Sequence, residues 1–455
     1  MFKNHIRLKL EHYVKKYFRK HDPKLVIVVG AVGKTTTKTA IATVLSKRFR
    51  VQMEPENHNS ELSVPLAILG VKFPPSELLR SVKTWRKIFK ACRERIRSDQ
   101  GVDVIVQELG TDHPGDLAKF AKYLKADIAV VTSVAAEHLE NFANGLEDVA
   151  KEELSVQAFA KTLIINHDDV DPKFASFVKL AEVTDYGING GEYRFQIDDG
   201  DPLNGYKTHF FAPEFGGATA ENPEFTQTES EAPEFEVHLA GEHSIRAAVA
   251  AAAVGAKLGL SSSELAGGIR EIRPVAGRMN ILPGRRNSIL IDDTYNSSTS
   301  AAIAALETLY SIGDASTQRI AILGSMNELG NFAKSEHEKV GAVCDPEWLD
   351  VVVTIGEDAK NYLAPVAERN GCIVKNFDSA IDAGAYVADI IRENQDFSPV
   401  ILIKGSQNGV FAEEATKILL ESQSDADKLV RQSPEWISRK DAYFASIEKI
   451  PEDDD

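Results

Sequence analysis

The sequence predicts an α/β protein with two lobes: a P-loop domain built on a parallel sheet, followed by a second Rossmann-like α/β domain. Three observations predict it. An apolar run, Leu25–Val29, breaks at Gly30 and Gly33 and enters a helical pattern at Lys34. Further apolar runs (Val102–Gln107, Ile128–Thr132, Leu163–Ile165) alternate with helical segments, the pattern of a parallel sheet covered on both faces. The alternation then starts again at Ser288–Ile291, Ile320–Leu323, Val351–Ile355 and Val400–Ile403, and 455 residues are too many for one ordinary core.

Each segment has its own signature. Residues 1–23 form a basic helix in which Ile6, Leu10, Val14, Tyr17 and Phe18 recur at helical spacing; residues 1–50 hold 13 Lys+Arg against 2 acids. A helix packed on its own domain is the preferred reading, and a weak membrane-surface or partner contact through residues 1–20 the alternative. The first domain is expected over 24–273, with Ser76–Ser98 a basic amphipathic helix. An antiparallel β insertion is expected at about 190–240, where 196–236 hold 10 acids against one lysine and Pro-Glu-Phe recurs at 213–215, 223–225 and 233–235. Ala247–Leu260 reads as a closely packed helix. The second domain is expected over 274–450 with a hinge near Pro274, and 451–455 as an acidic tail.

Composition narrows the function. A net charge of −16 argues against nucleic acid as the main partner. Three widely spaced cysteines, no apolar run approaching 18 residues and no signal-peptide core fit a cytoplasmic protein.

The chemistry begins at Gly30–Thr37. A strand, a glycine loop and a helix start present backbone N–H groups and the positive end of a helix dipole to a phosphate. In that geometry Gly30, Gly33 and Thr36 cradle the anion, Lys34 reaches the terminal phosphates, and the Thr35 hydroxyl sits on Mg²⁺. The cofactors expected are therefore ATP and Mg²⁺. Glu108, His138 and Asn166 follow strand ends, where such sheets bind ligands.

Taken with these residues, an ordered set of motifs resembles the Mur ligases, most closely their D-Ala-D-Ala-adding (MurF) type. Gly30–Thr37 looks like G-x-x-G-K-T-T-T, and Asn57–Pro65 is similar to an N-x-N-N-x-x-G-x-P loop. Glu108–Gly115 resembles E-M-G-x-x-x-x-G, Glu137–Glu140 is matched to A-H-L-E, and Ala150–Glu153 matches A-K-x-E. Gly277–Met279 matches G-R-M, Asp292–Asn296 matches D-D-[ST]-Y-N, Gly324–Gly330 resembles G-D-M-x-E-L-G, and Lys404–Ser406 matches K-G-S. The resemblance covers roughly 24–420 and implies ATP-driven amide-bond formation through an acyl phosphate. Lys34, Glu108, His138 and Lys151 would be catalytic. Thr35, Glu108, His138 and a carbamylated Lys151 would hold metal. Asn166, Arg278, Asp292 and Asp293 would contact the nucleotide; Asn57, Asn59, Tyr295, Asn296, Lys404 and Ser406 would contact substrate.

The substrates implied are a carboxylate cell-wall precursor and an amino-acid or dipeptide amine. Two alternatives are a folylpolyglutamate-type ligase and a nucleotide-binding scaffold with impaired catalysis. Some positions depart from the family: Ser244 and Ala247 replace two base-contacting asparagines, Ser325 replaces an aspartate, and Gln407 an arginine. About 25 residues precede the first strand, too few for the family's UDP-sugar domain. The precursor is therefore expected to be held in another way, with a partner subunit one option.

Overall fold

The structure, a computed structural model, describes residues 2–98, 101–215, 232–394 and 398–447. Its first sheet has nine strands: β1 (Lys24–Val29), β2 (Val51–Met53), β3 (Val104–Glu108), β4 (Ala126–Val131), β5 (Ala160–Asn166), β6 (Val183–Gly187), β7 (Tyr193–Asp201), β8 (Gly205–Phe211) and β9 (Glu234–Val237). They lie in the order β2-β3-β1-β4-β5-β6-β7-β8-β9. β1 pairs in parallel with β3 and β4, so its carboxyl end, and the glycine loop after it, lie between theirs.

The apolar runs are explained by burial on two faces. Val26 and Val28 point into one core, with the helices Lys34–Leu45 and Glu242–Lys257. Leu25, Ile27 and Val29 point into the other, with the helices Phe2–His21 and Val82–Arg97. A strand buried on both faces cannot alternate in polarity. The alanine-rich helix Glu242–Lys257 lets its neighbours approach closely. At Gly268 of the following helix a Cβ would lie 2.7 Å from the Val44 backbone.

β7–β8–β9 are the expected antiparallel insertion, added to the edge of the same sheet. Their core is aromatic: Phe195, Phe210 and Phe235 lie with ring centres 5.4–5.8 Å apart. Two Pro-Glu-Phe copies thereby acquire a packing role, since Phe235 belongs to this cluster and Phe215 rests on Phe210. The middle copy lies outside the described residues, as does the tail 451–455.

The apolar stripe of the N-terminal helix faces its own domain. Ile6, Leu10, Val14 and Tyr17 are buried in the second of the two cores. The stripe is thus consumed by packing, and the membrane-surface alternative loses the apolar face it requires. Among the described residues no helix is long and apolar enough to cross a membrane.

The second sheet comprises β10 (Asn280–Pro283), β11 (Ile289–Asp293), β12 (Arg319–Gly324), β13 (Val351–Ile355), β14 (Val374–Phe377) and β15 (Val400–Lys404), in the order β10-β11-β15-β12-β13-β14. All pairings are parallel except β10 with β11. Ile320 and Ile322 serve one core, Ala321 and Leu323 the other. β10 and β14 were not anticipated. They are four-residue edge strands with half-exposed residues, too short to leave a periodic signal.

Candidate active site

The carboxyl ends of β1, β3 and β4 carry the anion cradle. Gly30 has φ +126°, and a Cβ there would lie 2.2 Å from Thr132 Oγ1 at the end of β4. Glycine is therefore required twice, for backbone conformation and for space. The loop is strapped to β4: Val32 N donates to Ser133 Oγ (2.7 Å), and Thr132 Oγ1 donates to Val32 O (2.6 Å). Gly33, at φ +87°, opens the helix Lys34–Leu45. Lys34 Nζ curls back to the carbonyls of Gly30 (2.5 Å) and Ala31 (2.9 Å), over the place where a phosphate would sit.

Two buried ionisable groups lie close to this cradle, one of them bonded to the loop itself, and sequence reasoning missed both roles. Glu153 is fully buried; Oε2 accepts from Gly30 N (2.8 Å) and Oε1 from Thr111 Oγ1 (2.5 Å). Burial pushes its pKa up to about 7, against the pull of Lys34 and the two hydrogen bonds. Lys38, one turn beyond Thr35, donates to the carbonyls of Glu54 and Glu56 and lies 3.5 Å from Glu108. Burial lowers its pKa despite the Glu108 carboxylate. The sequence does carry a signal for Glu153: it closes the Ala150–Glu153 motif.

Glu108 is completely buried; among the described residues neither carboxylate oxygen has a hydrogen-bond partner, and its charge is faced by Lys38 Nζ at 3.5 Å. Thr35 shares the helix face of Lys38, so its hydroxyl is presented on the Glu108 side. A carboxylate without a hydrogen bond and a hydroxyl on the neighbouring helix are oxygen donors of the kind that suits Mg²⁺. The second expected metal site does not assemble. Lys151 points outward, half exposed, with Nζ 2.7 Å from Glu147 and 3.7 Å from Asp148 on its own helix. Its pKa is raised, chiefly by Glu147, whereas carbamylation needs the neutral amine. Lys151 as placed does not reach the cleft; this helix instead buries two carboxylates, Glu152, which accepts from Gly115 N and Leu117 N, and Glu153 beneath the loop. Among the described residues no cluster of three His, Cys, Asp or Glu side chains is arranged to hold a metal.

The second domain closes over the cradle. One cleft of about 390 Å³ is walled by Lys34, Thr35, Thr36, Asn57, Asn59, His138 and Asn166 from the first domain. Arg278, Asp293, Tyr295, Asn296 and Lys404 wall it from the second. Arg278 lies over the Tyr295 ring (4.2 Å) and donates to Thr35 Oγ1 (3.3 Å), while Asn57 donates to the Tyr295 hydroxyl (2.9 Å). His138 Nδ1 lies 2.7 Å from Glu328 Oε2 across the cleft, and that contact raises the histidine pKa.

Asp292 and Asp293 part company because strand neighbours face opposite ways. Asp293 faces the cleft and pairs with buried Lys404 Nζ (2.6 Å). Asp292 does not reach the nucleotide side as expected. It faces inward, accepting from Gly277 N and Thr294 Oγ1, and burial raises its pKa to about 6. Ser406 also stays out of the cleft: its Oγ accepts from Asn327 N, and neighbouring Gln407 is the residue that reaches the wall. Asn166 lines the cleft and donates to Thr132 O and Asp169. Beside it lie Ser244, Ala247 and Arg246, the last paired with Asp168 and Asp169.

A two-lobed cleft with a P-loop on one side and a lysine–aspartate pair on the other defines a nucleotide-dependent ligase architecture. The chain belongs to the Mur ligases: residues 28–255 match the Mur ligase middle domain and 277–407 the Mur ligase, glutamate ligase domain. It is 24% identical over 414 residues to the UDP-N-acetylmuramoyl-tripeptide--D-alanyl-D-alanine ligase of Bacillus subtilis, covering 91% of this chain and 79% of that one. Among solved structures, MurF from Acinetobacter baumannii superposes with a TM-score of 0.72 at 21% identity, covering 90% of this chain and 80% of the other. MurF from Thermotoga maritima, in complex with ADP, gives 0.69 at 20% identity and covers 93% and 84%.

Proposed function

We propose that this protein is an ATP-dependent ligase that activates a carboxylate as an acyl phosphate and joins it to an amine. D-Ala-D-Ala, or a similar amine, added to a cell-wall peptide precursor is the reaction that its relatives' names support. The observation that carries the reading is the shared cleft, in which Lys34 of one lobe faces Arg278, Asp293 and Lys404 of the other.

The order of events follows from the chemistry of carboxylate activation. The loop amides and Lys34 bind the triphosphate and draw charge toward its terminal phosphorus. Glu108 and Thr35 would hold Mg²⁺, which supplies charge neutralisation to the triphosphate when bound. The substrate carboxylate oxygen attacks the terminal phosphorus; a P–O bond forms, the bond to ADP breaks, and a mixed anhydride results. The amine nitrogen then attacks the carbonyl carbon, phosphate leaves with the bonding pair, and the nitrogen loses a proton. Arg278 is placed to follow charge on the phosphoryl group. Asp293, held by Lys404, faces the same space and is placed to orient the amine. Closure, read here in the Asn57–Tyr295 and His138–Glu328 contacts, keeps water from the anhydride. We place the lobe boundary near residue 274, between the helix Ser262–Arg270 and β10, and the reaction in the cytoplasm, where ATP is available and the buried thiols Cys92, Cys344 and Cys372 stay reduced.

The test is phosphate release from ATP with UDP-MurNAc-tripeptide and D-Ala-D-Ala, with the product identified by mass spectrometry. Release that needs both substrates, and falls at least about 100-fold in Lys34→Met, supports the ligase. Nucleotide binding without turnover on a panel of carboxylate and amine pairs refutes it in favour of the scaffold alternative.

A further inference from the structure

A second cavity, about 810 Å³, opens beside the catalytic cleft and shares Asn59, Gly110 and Asp112 with it. The start of the N-terminal helix lines it with Phe2, Lys3 and Ile6, and Phe73, Leu79, Arg80 and Trp85 line it as well. Phe2, Lys3 and Ile6 precede residue 28, where the match to the Mur ligase middle domain begins.

Its charges are unbalanced. Each acid in the groove has a basic neighbour. Glu61 pairs with Arg7 and Lys119, Asp116 pairs with Lys119 and accepts from two backbone N–H groups, and Asp112 lies 3.5 Å from His138. Lys3 and Arg80 are exposed and, among the described residues, have no carboxylate within ion-pair distance. The floor is apolar: the Trp85 indole N–H is satisfied by Leu79 O (2.8 Å), leaving its ring to the core, and Phe2 stands 45% exposed at the rim. The wall shared by the two cavities includes the Asn59–Gly110 contact. Gly110 N donates to Asn59 O, and a Cβ on Gly110 would strike the Asn59 side chain at 2.8 Å. Gly110 is two residues past Glu108, so this shared wall lies next to the cradle.

We propose that this groove seats the body of the carboxylate substrate, an anionic molecule with an apolar portion, whose distal negative charge meets Lys3 and Arg80 while its carboxyl end passes Gly110 to the phosphates. The inference rests on the ligase reading. A volume of this order accommodates a ligand larger than an amino acid or a dipeptide, which assigns the groove to the precursor and leaves the amine to the Asp293 side. The unpaired cations assign it to a polyanion and not to a neutral chain.

The test is titration calorimetry with UDP-MurNAc-tripeptide and, separately, with ATP, on the wild type, on Lys3→Glu/Arg80→Glu, and on Lys15→Glu/Lys16→Glu. The last pair carries the same charge change on exposed positions of the same helix. The groove variant is expected to weaken UDP-MurNAc-tripeptide binding about tenfold, with ATP affinity and thermal midpoint unchanged and the control variant equal to wild type. Equal precursor affinity in wild type and groove variant overturns the proposal, as does an equal loss in the control or no binding by the wild type. Charge-dependent precursor binding without turnover on any amine sinks the ligase reading and leaves the groove standing.

Discussion

Replacing Glu153 by glutamine changes a charge without changing a shape. The glutamine carbonyl would accept from Gly30 N, and its amide would donate to Thr111 Oγ1, in place of the two hydrogen bonds the carboxylate now accepts. Burial raises the Glu153 pKa from an ordinary 4.5 to about 7. The folded value lies above the unfolded one, so between them the native state holds the extra proton. The protonated group's contribution to stability is complete below about pH 4.5 and is lost as the pH rises through about 7. At about 1.4 kcal/mol per tenfold change in proton affinity, the total is about 3 kcal/mol. Asp292 and Asp169, also raised by burial, titrate in both proteins and cancel in the difference. The variant-minus-wild-type stability should therefore move in the variant's favour by about 3 kcal/mol between pH 4.5 and pH 8. Urea denaturation read by Trp85 fluorescence, with Trp348 and Trp436 replaced by Phe, follows the first domain alone, where Trp85 is 2% exposed. Parallel curves for the two proteins across this range would refute the assignment of a strained, buried carboxylate beneath the loop.

Two further outcomes are expected. Lys404→Met strands the Asp293 carboxylate in a buried site and should destabilise the second domain by about 3–5 kcal/mol. Asp293→Asn/Lys404→Met should lose clearly less, and denaturation read by Trp348 decides between them. Lys151→Ala should leave kcat and KM within about threefold of wild type, since it removes only an exposed contact with Glu147. A loss of two orders of magnitude, restored by short carboxylic acids, would show that the side chain turns inward in the working enzyme.

Much of the site was legible because its chemistry is local. A glycine loop between a buried strand and a helix is specified by adjacent residues, and Lys34, Thr35 and Thr36 inherit their places from it. Arg278, Tyr295 and Asn296 were legible through the order of short motifs, which places them on a second lobe facing the first. What failed was orientation within an element. Lys151 and Glu153 are two residues apart on a nine-residue helix, about 200° around its axis, so one faces solvent and the other the P-loop. Asp292 and Asp293 differ in the same way on a strand. A motif names the helix or strand; the packing of that element selects the side chain that does the work.

The sequence by itself determined the two α/β lobes, the phosphate cradle and the cleft between carboxyl strand ends, because hydrophobic runs and glycine turns constrain the backbone over a few residues. Only the tertiary structure decided which acid lies under the loop, that the N-terminal helix spends its apolar face on its own domain, and that its first turn walls a groove leading to Gly110. Those outcomes depend on contacts between residues far apart in the chain, such as Gly30 with Glu153 and His138 with Glu328. Such contacts are set by how buried faces pack, and one-dimensional spacing carries no record of that.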